Sequence, residues 1–272
     1  MVAVKTFGSF EGKRVDQFTL TSTTGVEVDL INWGVVVRDW RVPVKGGKRT
    51  VVLGLDNFDD YPKHSPHLGS LAGRIANRVR GASFELDGNR LRLELGATTD
   101  RPTPVSLVQH QYFNLGTGDD VVDHKYWLRA HAFTESGPDL VPTGNIIEVK
   151  PGSDRDFTSP RNLRDAAGKA LGYDGNYVLD SGRDLADPIA VVTSPDNDLT
   201  LKLWSDRPGL QFYNAMTTNV PVPGLNGKHY GQYSGFCLED QMFPDALHHP
   251  HFPNIIITPD KPYTHWCEIE VA

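Results

Sequence analysis

The sequence predicts an antiparallel β-sandwich. Short runs rich in Val, Ile, Thr and aromatic residues recur along the whole chain, with Gly, Pro, Asn and Asp between them. The 272 residues include 26 Gly and 19 Pro but only three Met, which favours many turns and few long helices. Strands that follow one another without intervening helices pack as antiparallel sheets rather than as βαβ units.

The strands are predicted one by one from these β-type runs. An Asp-Gly pair at 87–88 predicts a hairpin, and 45–48 predicts another turn. Segment 68–79 is predicted to hold a short turn or loop, and 162–167 one helical turn. No internal repeat divides the chain, so we expect a single domain over residues 1–272. In chain order, the predicted strands are 15–21, 26–31, 35–42, 51–55, 83–86, 90–95, 109–114, 126–132, 145–149, 177–179, 190–193, 199–205, 210–213, 235–238, 255–258 and 264–271.

Charge and cysteine content narrow the classes of function. The formal net charge of −7 disfavours a general attraction to nucleic acid or to an anionic membrane, and leaves neutral ligands open. Cys237 and Cys267 form neither a disulfide framework nor a metal-ligand spacing. The first residues lack the apolar core of a signal peptide, and no apolar run would span a bilayer. We therefore expect a soluble, cytoplasmic protein with reduced thiols, and neither nucleic acid nor membrane as a partner.

The segment 236–241 places a carboxylate on a strand face near a Pro-rich turn. Because side chains alternate along a strand, Cys237, Glu239 and Gln241 are predicted to share one face. Phe236, Leu238 and Asp240 then share the other face. A carboxylate held by its neighbours near a rim suits general base catalysis, although a lone Glu is more often simply solvated.

Two segments could bind hydroxyl groups. Segment 73–78 combines Arg74, Asn77 and Arg78, whose side chains suit hydrogen bonding to a hydroxylated ligand, and its alternative is a solvated surface loop. In segment 172–177, Asp174 lies in an Asp-Gly-Asn sequence that is first of all a turn. Its functional interpretation is an acceptor for sugar hydroxyls.

Two further strands carry polar side chains. Alternation places His110, Tyr112 and Asn114 on one face. A His in an apolar strand is usually a satisfied core residue, but its pKa near neutrality also suits proton transfer. Gln211, in segment 209–214, could reach a ligand from a strand face or simply face outward.

Three histidines, His248, His249 and His251, resemble a metal cluster at first sight. Pro250 interrupts them and no carboxylate is spaced to complete a site, so we predict no metal here.

Taken in order, these segments resemble the aldose 1-epimerase family, also called galactose mutarotases. The resemblance covers nearly the whole chain, and it depends on the order of about seven short motifs rather than on any single one. The segments that carry it are 30–35, 51–56, 64–66, 73–78, 84–88, 110–115, 173–177, 211–213, 238–241, 244–246, 252–253 and 258–259.

The resemblance implies a large antiparallel β-sandwich with a sugar cleft and an enzyme that interconverts the α and β anomers of free aldoses. Carried over to this sequence, Glu239 would be the general base on the anomeric hydroxyl and His110 the general acid on the ring oxygen. The residues that would hold the sugar hydroxyls are Asn77, Arg78, Asp174 and Gln211. No cofactor and no metal are implied, since opening a hemiacetal needs only proton transfer.

The sequence departs from the family in one place. The family carries a Leu-His-Gly-Gly motif and several strands after the Asp-Gly hairpin, whereas here Leu95 and Val105 are joined by residues 96–104 alone. One active-site His of the family is therefore missing, and the sandwich is expected to have fewer strands. His64 or His67 could replace that imidazole, although a loop His is usually only solvated. A homodimer that covers the shortened sheet is a further expectation.

Three explanations of the short segment remain open: an active shortened enzyme, a non-catalytic carbohydrate-binding protein on the same scaffold, or a truncated version of a longer gene. Another alternative is an isomerase acting on a phosphorylated or non-sugar substrate, since Arg74, Arg78 and Arg80 would suit an anion. Neither the identity of the sugar nor the oligomeric state follows from the sequence.

Overall fold

The structure, a computed structural model, describes residues 2–65, 67–73 and 83–272. Almost all of the regular secondary structure in these ranges is β, and the one α-helix found in them, α1, is the single turn Tyr61–His64. Short 3-10 turns occupy Phe58–Asp60 and Leu225–Gly227. The strands are β1 Val2–Phe10, β2 Lys13–Thr21, β3 Glu27–Ile31, β4 Val36–Val44, β5 Gly47–Thr50, β6 Ser70–Gly73, β7 Ser83–Asp87, β8 Arg90–Ala97, β9 Thr103–Pro104, β10 Leu107–His110, β11 Lys125–Leu128, β12 Ala130–Ser136, β13 Pro142–Glu148, β14 Asp174–Leu179, β15 Ala190–Thr193, β16 Thr200–Ser205, β17 Gly209–Tyr213, β18 Cys237–Gln241, β19 Ile256–Ile257 and β20 Tyr263–Val271.

These strands form three larger antiparallel sheets, which confirms the predicted fold class. The N-terminal sheet has the order β1-β2-β3-β4-β5. A six-stranded sheet has the order β11-β15-β16-β20-β8-β7, and a five-stranded sheet the order β13-β12-β14-β17-β18. Two short pairs, β6 with β10 and β9 with β19, complete the ladders of the described residues. No helix in the described ranges has the length and apolar character needed to cross a membrane.

The main apolar core lies between the six-stranded and the five-stranded sheet and extends to the N-terminal sheet, which contributes Trp40. The rings of Tyr126 on β11 and Phe212 on β17 meet there, with centroids 5.2 Å apart. Leu238, on β18, is 1% exposed and belongs to the same apolar cluster. Burying one such side chain stabilises the fold by roughly 1.5–3 kcal/mol. Because alternation turns Leu238 inward, its neighbour Glu239 must lie on the outer face of the sheet.

Several local predictions were wrong. The predicted strand 51–55 makes only isolated bridges, and in segment 68–79 residues Ser70–Gly73 form β6, whereas 74–79 lie outside the described residues. Residues 162–167 form no helical turn: Arg164 bridges to Ala170, and the Asp165 carboxylate accepts from the backbone N–H groups of Ala167 and Lys169. An Asp side chain that captures nearby amides favours a turn over a helix. The Asp-Gly-Asn sequence at Asp174 is not a turn but the start of β14, because pairing with β17 keeps it extended.

Candidate active site

Three neighbouring strands of the five-stranded sheet build one wall of the site. In the antiparallel register, Asn176 on β14 lies opposite Gln211 on β17, and Gln211 lies opposite Glu239 on β18. Directly opposed side chains on one face are close enough to interact, so the three form a polar row across the sheet. The predicted two faces of β18 are therefore observed.

This row opens into a cavity of about 340 Å³, which lies in the size range of small-molecule sites. Strands β12 and β13 and the turn after β18 supply its other walls. Among the described residues, the cavity is lined by His110, Thr134, Ser136, Leu140, Pro142, Asp174, Gly175, Asn176, Gln211, Tyr213, Glu239, Gln241 and Pro244.

His110 and Glu239 meet at this cavity. The Nε2 atom of His110, the last residue of β10, lies 3.6 Å from Oε1 of Glu239. The other ring nitrogen, Nδ1, lies 3.5 Å from the Sγ atom of Cys237. The His110 ring also stacks on Tyr112, with centroids 5.0 Å apart and the planes tilted by 17°. These contacts fix the orientation of the imidazole beside the carboxylate.

Burial changes the protonation of both groups. It raises the pKa of Glu239 to about 8, with smaller contributions from the negative charges of Asp174 and Asp240. It lowers the pKa of His110 to about 4, with a further contribution from His67. Between these two values the pair therefore carries a single proton. One acid and one base within reach of each other are what a proton-transfer reaction requires.

Asp174 and Gln211 lie together in the same cavity. The Nε2 amide of Gln211 donates a hydrogen bond of 2.6 Å to Oδ1 of Asp174. Burial raises the pKa of Asp174, and the bond from Gln211 opposes this rise. The remaining oxygen of the carboxylate and the Gln211 carbonyl supply acceptors for ligand hydroxyls.

Sequence reasoning missed several residues of the cavity. The Nε2 amide of Gln241 lies 3.3 Å from Oδ1 of Asn176, so both amides extend the polar row. Alternation had placed Gln241 on the face of Glu239, which was a usable signal. Nothing in the sequence pointed to Thr134 or Ser136, because they reach the cavity only through sheet pairing.

The other predicted binding residues are not all in this cavity. Asn77 and Arg78, like Arg74 and Arg80, lie outside the described residues. Asn114, predicted to share the face of His110, instead donates to the carbonyls of Gly118 and Ser234 and stabilises a loop.

Of the two histidines considered as replacements, His67 lies beside the site. Its ring stacks on that of His110 with centroids 5.8 Å apart, and its φ of 69° is in the left-handed region. His64 ends helix α1 and does not belong to the described lining of the cavity.

Of the three histidines near the C-terminus, His248 and His249 both reach the carboxylate of Asp245, and His251 bonds to a backbone carbonyl of β13. His248 Nδ1 lies 2.5 Å from Oδ1 of Asp245, His249 Nε2 lies 3.2 Å from the Pro142 carbonyl, and His251 Nε2 lies 2.8 Å from the Gly144 carbonyl.

In the part of the chain that the structure describes, two other groups have donor atoms close enough to hold a metal ion. In one, donor atoms of His110, Cys237 and Glu239 lie within 4.8 Å of one another, and in the other those of Asp240, His265 and Cys267. Burial raises the pKa of both thiols well above the ordinary value, which opposes the thiolate form that binds metals.

Comparisons with known proteins agree with this architecture. The model of the aldose 1-epimerase family matches residues 16–95 and 88–270. The galactose mutarotase of Bos taurus is 28% identical over an alignment of 331 positions, which covers 95% of each chain. Since 331 positions exceed the 272 residues of this chain, the relative has residues that this chain lacks.

Two solved structures share the fold. An aldose epimerase homologue from C. elegans superposes with a TM-score of 0.83 at 21% identity, over 94% of this chain and 98% of the other. A galactose 1-epimerase from Lactobacillus acidophilus gives a TM-score of 0.79 at 20% identity, over 100% of this chain and 98% of the other.

The two matched segments meet at residues 88–95, immediately before the short connection 96–104. This connection joins β8 of the six-stranded sheet to β9, whereas Asp174, Gln211 and Glu239 belong to the five-stranded sheet. These three residues therefore lie on a different sheet from the strand that precedes this connection.

Proposed function

The chain belongs to the aldose 1-epimerase family, and from that membership we propose that it interconverts the α and β anomers of an aldohexose, with Glu239 as general base and His110 as general acid. The observation that carries this proposal is the pair of side chains facing one cavity, with His110 Nε2 3.6 Å from Glu239 Oε1. Opening and closing a cyclic hemiacetal needs both partners at once.

The separation of the two groups suits the reaction. The anomeric hydroxyl and the ring oxygen of an aldose are bonded to the same carbon, so they lie close together. An acid and a base that are themselves neighbours can each reach one of these oxygens without spanning the sugar ring.

The reaction balances with this pair alone. The Glu239 carboxylate takes the proton of the anomeric hydroxyl, and the His110 imidazolium gives a proton to the ring oxygen. The bond from the anomeric carbon to the ring oxygen breaks, leaving an open-chain aldehyde. After rotation about C1–C2 the ring closes on the other face of the carbonyl. Glu239 then returns its proton to the new anomeric oxygen, and His110 recovers its own.

The form in which His110 carries the single proton and Glu239 is ionised is accessible in energy. Burial favours the neutral form of each group, but an imidazolium and a carboxylate 3.6 Å apart attract each other. At an effective dielectric constant near 20, that attraction is about 4 kcal/mol. A sugar hydroxyl that donates to Glu239 favours the same form.

Binding is assigned to polar groups that match sugar hydroxyls. Asp174 and Gln211 occupy the cavity, and Asn77 and Arg78 keep this role as a proposal from the family resemblance. The described lining of the cavity contains two carboxylates and neither Lys nor Arg, which favours a neutral sugar over a phosphorylated one. A single domain, a homodimer and a cytoplasmic location stay predictions.

Polarimetry of freshly dissolved α-D-glucose and α-D-galactose tests the proposal. We expect the wild-type protein to speed equilibration well above the buffer rate, and Glu239→Gln to lose roughly 10²–10⁴-fold of that gain. Glu11→Gln, in the exposed turn between β1 and β2, is the matched control and should keep wild-type activity. Saturable sugar binding by calorimetry without any rate effect would instead identify a binding protein.

A further inference from the structure

A buried glutamine links the strands that carry the two proposed catalytic residues. Strand β10 with His110 and strand β18 with Glu239 belong to different sheets. Gln109, which is fully buried and directly precedes His110, donates from Nε2 to the Leu238 carbonyl. The same nitrogen lies 3.4 Å from Oδ1 of Asp240. The two acceptors are the residues on either side of Glu239, so one amide group contacts β18 on both sides of the general base.

The Asp240 side chain also contacts residues of the six-stranded sheet. Its side chain is 0% exposed, and Ser205 at the end of β16 donates to its Oδ2 atom. His265 on β20 places Nε2 3.2 Å from the same oxygen, at ion-pair distance although outside good hydrogen-bond geometry. A buried carboxylate needs such partners, because an unpaired buried charge is strongly unfavourable.

The second ring nitrogen of His265 extends this network to Asp206. Nδ1 of that ring lies 2.7 Å from Oδ1 of Asp206, and Arg207 binds both oxygens of Asp206 at 2.7 and 2.9 Å. Burial opposes charge on both groups, but their partners outweigh it: the pKa of His265 is raised, and that of Asp206 is lowered to about 2. The network thus alternates carboxylate, imidazole, carboxylate and guanidinium groups.

We propose that Gln109 and Asp240, anchored by His265 and Asp206, are positioning residues that fix the spacing between His110 and Glu239. This inference rests on the proposed function. An error of about 1 Å in the placement of a reacting group can cost on the order of 10²-fold in rate. Among the described residues, His110 also makes two polar contacts with β18, from Nδ1 to Cys237 Sγ at 3.5 Å and from Nε2 to Glu239 Oε1 at 3.6 Å. Both orient the ring, whereas Gln109 bonds to the backbone of β18.

Gln109→Leu tests the link, with Gln111→Leu as matched control. Gln111 is the same residue type, is 1% exposed, and its side-chain atoms bond to no partner in the described residues. We expect Gln109→Leu to lower kcat about 10–100-fold with KM close to wild type, because Asp174 and Gln211 lie on other strands. Gln111→Leu should lower neither kcat nor KM, and thermal unfolding of both variants corrects for any loss of folded protein.

A readout independent of turnover keeps failure of this inference distinct from failure of the proposed function. In protein labelled with 15N-histidine, the His110 ring resonances report its pKa. We expect Gln109→Leu to move that pKa from about 4 toward the ordinary value, because a His110 imidazole that is less tightly positioned gains access to water. If Gln109→Leu and Gln111→Leu give the same kcat and the same His110 pKa, the proposal is overturned, whether or not the wild type turns over sugars.

Asp240→Asn tests the second member. Asparagine keeps an oxygen that can accept from Gln109 but removes a charge that raises the pKa of Glu239. The alkaline limb of the pH–rate profile should therefore move to lower pH, a shift that loss of packing alone would not cause. An unmoved limb would contradict an action of Asp240 on Glu239. One equivalent of tightly bound metal that Asp240→Asn loses and Glu239→Gln retains would also contradict the ion-pair network, since Asp240, His265 and Cys267 would then be ligands.

Discussion

The two faces of strand β18 carry adjacent carboxylates in opposite circumstances. Glu239 faces the cavity, where its ion-pair partner among the described residues is His110 at 3.6 Å. Asp240, on the other face, contacts Ser205, Gln109 and His265 and is fully enclosed. One strand thus holds a carboxylate with few donors and a carboxylate surrounded by them.

The difference shows how a sheet can produce a reactive group and a structural group side by side. Donors stabilise an ionised carboxylate, and their scarcity around Glu239 leaves burial free to raise its pKa to about 8. A base that holds its proton up to neutral pH can both accept and return one, as anomer exchange requires. The donors around Asp240 instead give it a structural role.

The largest effects on activity are expected when His110 and Glu239 are substituted, singly and together. His110→Gln and Glu239→Gln should each lower the catalysed rate roughly 10²–10⁴-fold. The double variant should be little worse than either single variant, because groups that act as a unit are not additive. Initial rates of α-D-galactose equilibration, measured by polarimetry, check this. If the two losses multiply, the residues act independently and the shared-proton description fails.

A smaller effect is expected at the binding residues. Asp174→Asn removes a charged acceptor, whose hydrogen bonds are worth about 1.5–3 kcal/mol, so KM should rise about 10–100-fold. Because the Asp174 charge raises the pKa of Glu239, the alkaline limb should also move to lower pH. Saturation kinetics across pH separate the two effects. A lower kcat with unchanged KM would place Asp174 in the chemistry rather than in binding.

Sequence reasoning succeeded where the information is local. Alternation along 236–241 correctly separated Glu239 from Asp240, because side-chain direction in a strand depends only on position. Alternation could not predict that His110 lies beside Glu239, because that contact depends on how β10 packs against β18 of another sheet. The family resemblance, rather than any spacing, predicted that pairing.

The ion-pair network that surrounds Asp240 could not be predicted from the sequence, for the same reason. Asp206, Asp240 and His265 lie far apart in the chain, and of the three only Asp240 stands in a segment that the sequence pattern singled out. Each looks like an ordinary polar residue until β16, β18 and β20 are placed in space. The Asp165 turn was misjudged because a side chain that captures backbone amides outweighs weak helix propensity.

The pH dependence of kcat/KM for wild-type anomer equilibration, corrected for the buffer rate, tests the shared proton most directly. Below a pH of about 4 both groups are protonated and no base remains, and above about 8 Glu239 is ionised, His110 is neutral and no acid remains. The predicted result is a bell-shaped profile with limbs near those values, which belong to the pair as a whole. A catalysed rate that stays level from well below pH 4 to well above pH 8 would contradict this mechanism.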